Sequence, residues 1–103
     1  MVLIYVITKD SAEARDIGRH LLEERLANST NVIRSIETLR WNEGEIINTS
    51  ETILLIKTKA VLYSRIEKRI GELMESHDAN IFSMPITQIN ANFRDKLIDG
   101  VLS

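Results

Sequence analysis

An α+β fold of the ferredoxin-like (split βαβ) type is predicted for this 103-residue chain by three observations. The hydropathy pattern alternates in the order β-α-β-β-α-β-α. Asn31 to Thr58 reads as one long β-hairpin around which the rest packs. Within it, Ile53-Leu54-Leu55-Ile56 is an unbroken apolar run, as on a strand that needs cover on both faces. The expected architecture is an antiparallel sheet with two helices on one face, a long hairpin and an extra C-terminal helix. Residues 1–103 are expected to form a single domain.

Each element has a local reason. Val2 to Thr8 is a strand with apolar residues on both faces. Asp10 is placed to cap a helix, with Glu13 three residues on as in a capping box. Ser11 to Ala27 then carries Ala14, Ile17, Leu21, Leu22 and Leu26 on one side. Gly18 borders that stripe and is expected to let the helix approach the sheet. The hairpin goes out through Val32–Trp41, turns at Asn42-Glu43-Gly44, and returns through Glu45–Thr58. Thr58 is expected to cap a helix from Lys59 to about Ser76, with Leu62, Ile66, Ile70 and Leu73 as its buried stripe. Ile81 to Thr87 reads as a strand whose Pro85 suits an edge position or a bulge. Asn90 is placed to cap a last helix, Ala91 to Asp99, stopped by Gly100.

Composition narrows the function. Net charge is −2 with both signs interspersed, which argues against a dedicated nucleic-acid surface. No cysteine is present, so disulfides, thiolate metal sites and cysteine nucleophiles are excluded. No apolar run approaches the ~20 residues that span a bilayer, and the apolar start lacks the features of a signal peptide. A cytoplasmic location is expected. The central strands offer Ile, Leu and Val where an RNA-recognition module of the same shape needs aromatic platforms.

The residues that can carry chemistry are sparse. His77 and Asp78 form a loop pair able to bind a metal, although such a pair is commonly a plain surface feature. His20 lies four residues before Glu24 on a solvated helix face. Glu37, Glu43, Glu45 and Glu51 supply carboxylates near the hairpin, with no spacing that forces an acid/base pair. Lys57 ends a buried strand, where it either neutralises an anion in a cleft or snorkels. Trp41, between Arg40 and Glu43 near the hairpin tip, is expected to meet a neighbouring molecule.

With both helices on one face, the apolar back of the sheet needs another cover. A second copy of the chain is the simplest cover, as a dimer or a cyclic trimer.

Leu21-Leu22-Glu23-Glu24-Arg25-Leu26-Ala27, Asn31-Val32-Ile33, Trp41-Asn42-Glu43-Gly44-Glu45-Ile46, Leu54-Leu55-Ile56-Lys57-Thr58 and Met84-Pro85-Ile86, taken in order, resemble the CutA family of divalent-cation tolerance proteins. Leu21-Leu22-Glu23-Glu24-Arg25-Leu26-Ala27 is similar to the family's LLEEKLA, and Asn31-Val32-Ile33 to its VNI. Trp41-Asn42-Glu43-Gly44-Glu45-Ile46 resembles WWxGKI, Leu54-Leu55-Ile56-Lys57-Thr58 resembles LLIIKT, and Met84-Pro85-Ile86 resembles LPI. The resemblance covers nearly the whole chain and rests on the joint order and spacing of the motifs.

It implies a homotrimer whose long hairpins wrap neighbouring subunits, acting in metal-ion tolerance by binding and not by catalysis. The implied site is an inter-subunit cleft near His77, Lys57 and Trp41, with Asp78 and Glu43 beside it. Divalent copper or zinc would be taken by imidazole and carboxylate. Two departures stand out. Ser29 holds a position that is Cys in many bacterial members, and HPYExPEI is shortened to His77-Asp78-Ala79-Asn80-Ile81, where only the His carries over.

Rival functions are a PII-like regulator binding a small anion or nucleotide, a structural trimeric anchor, and an acylphosphatase-like hydrolase. The last would need Arg and Asn in the loop after the first strand, which here is Thr8-Lys9-Asp10.

Overall fold

Strand β1 (Val2–Thr8) is flanked on both sides, by β3 (Glu45–Thr58) and by β4 (Asn80–Pro85), both antiparallel. Strand β2 (Thr30–Asn42) pairs with the outer side of β3, giving the sheet order β2-β3-β1-β4. Helices α1 (Ser11–Glu23), α2 (Tyr63–Leu73) and α3 (Ala91–Ile98) complete the fold. The computed structural model describes residues 1–74 and 78–103. The predicted α+β, ferredoxin-like arrangement is what these elements form.

Alternation along the strands explains the core. Ile4 and Val6 of β1 and Leu54 and Ile56 of β3 lie opposite one another in register and are fully buried. They meet Ala14, Ile17 and Leu21 of α1 and Ile66 and Ile70 of α2 in one cluster. Gly18 is buried in α1, and a Cβ there would lie 2.9 Å from Thr30 Oγ1 and 3.4 Å from Leu54 Cδ1. The glycine therefore sets how closely α1 sits on the sheet.

The ends of elements differ from expectation in instructive ways. Helix α1 stops at Glu23, four residues short of Ala27. Arg25 takes φ +61, and two bonds close the end: Leu26 N–H to Leu21 O (3.0 Å) and Arg25 N–H to Leu22 O (3.1 Å). This is a Schellman cap with Arg where Gly is usual. Leu26 and Ala27 are buried after the helix has ended, so apolar spacing extended the expected helix too far.

Thr58 does not cap a helix. Its hydroxyl donates to Leu26 O at 2.7 Å, tying β3 to the α1–β2 loop. The chain instead enters α2 through a short 3₁₀ turn, Ala60–Leu62. The expected end of that helix, Ser76, lies outside the described residues. Asp10 and Asn90 cap as expected, accepting from Glu13 N–H and Phe93 N–H at 2.8 Å each. Strand β4 runs Asn80–Pro85, and its edge place explains why Pro85 is tolerated.

The hairpin extends beyond the sheet body. A β-bulge between Ile33 and Ile36 puts Arg34 and Ser35 against a single position of β3, with Ser35 at φ +60. Past it, β2 and β3 remain paired out to Asn42 and Glu45. The turn has two residues, Glu43 (φ +51) and Gly44 (φ +85), instead of the expected three. Positive φ at both positions is what a tight hairpin turn matching the strand twist requires. The arm stretches the molecule to 46 × 28 × 21 Å. Its radius of gyration is 14.5 Å, against roughly 13 Å for a compact chain of this length.

Gly18→Ala is expected to destabilise the fold by about 1–3 kcal/mol, because Thr30 and β3 must move away. Arg25→Gly should stabilise by up to about 1 kcal/mol by relieving the left-handed backbone. Chemical denaturation of the two variants checks both signs, and an unchanged midpoint for Gly18→Ala would contradict the close-approach argument.

Candidate functional site

The distal hairpin has two unlike faces. Directly paired residues share a face, so Trp41 with Ile46, and Leu39 with Asn48, point the same way. Leu39, Trp41 and Ile46 are 66, 72 and 62 % exposed. They line a shallow hollow, bridged by Arg40 between Leu39 and Trp41 in β2. Glu43 occupies the turn beyond them and is exposed.

The opposite face carries Thr38 paired with Thr49, and Arg40 paired with Ile47. The Thr38 hydroxyl donates to Glu51 Oε1, which helps hold this half of the arm in register.

The back of the sheet is the second feature. By alternation, Leu3, Tyr5 and Ile7 of β1 face away from the helices, with Leu55 and Lys57 of β3 and Phe82 and Met84 of β4 beside them. Tyr5 and Phe82 stack with centroids 4.7 Å apart. Phe82 and Met84 remain 47 and 44 % exposed. Lys57 interrupts this apolar surface, and its Nζ donates to Asn31 Oδ1 at 2.6 Å.

Lys57 and the tip are far apart within one subunit. Ile46, the partner of Trp41, precedes Lys57 by eleven residues of continuous strand, about 36 Å. Trp41 and Glu43 therefore meet Lys57 only if they come from different copies of the chain.

The third feature is a cleft of about 550 Å³ where the hairpin arm leaves the body. Arg40, Thr49, Ser50 and Glu51 form its hairpin wall, and Thr8, Lys9 and Glu13 the wall between β1 and α1. Asp78 and Asn80 close the third side, with Ile7 and Met74 as apolar lining. Asp78, identified from sequence as a metal ligand, thus lies in a cleft together with two further carboxylates, Glu13 and Glu51. Among the described residues no three His, Cys, Asp or Glu side chains come together closely enough to hold a metal ion. His77 lies outside the described residues.

Several of these groups are already engaged. Glu13 Oε1 accepts from Lys9 N–H at 3.0 Å, and Thr8 Oγ1 donates to Thr52 O at 2.8 Å. Lys9 and Asp78 each have an interaction of their own. His20 and Glu24, read from spacing as one solvated pair, part company. His20 Nδ1 turns to Asp16 O at 2.8 Å, and Glu24 receives Arg69 Nε at 2.9 Å from both oxygens.

Sequence reasoning did not find the cleft. Lys9, Arg40, Ser50 and Asn80 belong to four separate elements or loops, with no shared spacing to mark them. Only the length and register of the hairpin bring Arg40 over the loop that follows β1.

Residues 2–98 match the family model for the CutA1 divalent ion tolerance protein. The divalent-cation tolerance protein CutA of Thermus thermophilus is 32 % identical over 96 residues, covering 91 % of this chain and 92 % of that protein. The protein of the same name from Pyrococcus horikoshii is 27 % identical over 99 residues, covering 96 % of each. The chain spans 66 % of the length of a Danio rerio CutA homolog, at 29 % identity and 96 % of its own length. Among solved structures, the periplasmic divalent cation tolerance protein CutA of Archaeoglobus fulgidus superimposes with a TM-score of 0.88 at 25 % identity. That match covers 99 % of this chain and all of the other.

Proposed function

The chain belongs to the CutA1 divalent ion tolerance family, and from that premise we propose that it is a homotrimer binding divalent metal at the seams between its copies. The observation that carries this reading is the apolar back of the sheet, with Tyr5, Leu55, Phe82 and Met84 facing away from α1 and α2. Such a surface is stabilised by burial against a like surface, at roughly 25 cal/mol per Å² of apolar area. The exposed Leu39, Trp41 and Ile46 on the hairpin give a second apolar contact, and the arm is long enough to reach a neighbouring copy.

The metal would be cargo, not a resident cofactor. Asp78 is the described carboxylate nearest in sequence to His77, and the two are the proposed ligands, with Glu43 of a neighbouring hairpin tip as a third oxygen donor. Imidazole with carboxylate suits copper or zinc better than calcium. Binding without catalysis fits how the β1–α1 loop is used: Asp10 is spent on a helix cap and Thr8 on a backbone bond. A cytoplasmic location belongs to the same proposal. No helix among the described residues is long and apolar enough to cross a membrane.

Light scattering should give three times the chain mass. Phe82→Glu should shift that mass toward a single chain, since a carboxylate would be buried without a partner. A wild-type monomer would refute the seam, and with it the metal site. Calorimetry with copper should show binding that weakens in both Asp78→Asn and His77→Ala. An affinity unchanged from the wild type in both variants would refute these ligands.

A further inference from the structure

The cleft beside the hairpin has a charge arrangement of which the metal reading uses only Asp78. Among the described residues, Lys9, Arg40, Glu13, Glu51 and Asp78 line it, two cations with three carboxylates. Four of these five groups are already engaged. Glu13 accepts from a backbone N–H, Glu51 accepts from the Thr38 hydroxyl, and Lys9 and Asp78 have interactions of their own.

Arg40 differs from them. Among the described residues its guanidinium makes no hydrogen bond and no ion pair. It alternates with Leu39 and Trp41 along β2, so it points to the other face of the arm and lines the cleft. The Asn80 amide, also lining the cleft, likewise has no side-chain hydrogen bond among the described residues.

A planar guanidinium with five donors pairs bidentately with a carboxylate or a phosphate, of which the carboxylate carries the smaller negative charge. The surplus of carboxylates, however, disfavours a ligand that brings only negative charge. A ligand that satisfies Arg40 must therefore bring a positive group for Glu13, Glu51 or Asp78. Ile7 and Met74 add an apolar surface for its remainder.

We propose that this cleft binds a zwitterionic small molecule of the α-amino-acid class with an apolar side chain. Its carboxylate would lie on Arg40, its ammonium among the carboxylates, and its side chain on Ile7 and Met74. The proposal does not depend on the metal site, and it is tested with metal removed, so that either can fail alone.

The experiment is titration calorimetry on the chelator-treated, fully assembled protein, using leucine, isocaproate, isoamylamine and aspartate as probes. Leucine should bind in the millimolar range or tighter. Isocaproate, which lacks the amine, isoamylamine, which lacks the carboxylate, and aspartate, which adds a negative charge, should each bind more weakly. Arg40→Ala should weaken leucine binding about tenfold or more, the usual consequence of losing a charged hydrogen-bonding partner. Arg94→Ala, on α3 and outside the cleft, should leave binding unchanged. Arg40→Gln provides the same comparison should the alanine variant not fold. Isocaproate binding as tightly as leucine would overturn the zwitterion. No binding of leucine, or an unaltered affinity in the Arg40 variants, would overturn the site.

Discussion

The pairing of Ile53–Ile56 with β1 on one side and with the start of β2 on the other is the constraint from which the remaining structure follows. A strand hydrogen-bonded on both sides has no edge to give to solvent, and its side chains must be buried in two directions. Leu54 and Ile56 satisfy the first direction against α1 and α2. Ile53 is closed over by its neighbours on the other face, flanked by Ile7 and Ile33 in register. Leu55 is left half covered, and the apolar row continues sideways through Tyr5 to Phe82. The fold is thus internally finished on one side of its sheet and unfinished on the other.

The same strand also builds the arm. Residues 45–51 of β3 continue past the end of β1, where among the described residues their strand partner is β2 alone. A two-stranded ribbon gains little from burial, so its stability must come from local devices. Three are visible: the bulge at Arg34 and Ser35, the two-residue turn at Glu43-Gly44, and the Thr38, Thr49 and Glu51 contacts. The bulge has a further consequence. One extra residue in β2 resets which of its side chains face the body, so that Arg40 looks into the cleft while Leu39 and Trp41 look away.

This division of faces separates two kinds of recognition. The apolar face of the arm and the back of the sheet suit contact with other copies of the chain. The polar face, together with the loop after β1 and the segment before β4, suits a small charged ligand. Lys57 lies on the first surface, not the second, and its bond to Asn31 satisfies it within the apolar row.

The sequence by itself determined the element order, the helix-facing core and the family. Those depend on short-range facts: apolar spacing, cap residues such as Asp10 and Asn90, and motifs read in order. It also marked the back of the sheet as uncovered, because β1 and β3 are apolar on both faces. It misplaced the end of α1 and the start of α2, where apolar residues such as Leu26 and Leu62 are buried by tertiary packing outside a regular α-helix. Only the tertiary structure decided that Arg40 shares a cleft with Lys9 and Asp78, and that Trp41 and Lys57 cannot meet within one chain. Both depend on hairpin register and on a one-residue bulge, which are set by pairing between distant strands and leave no periodic trace in the chain.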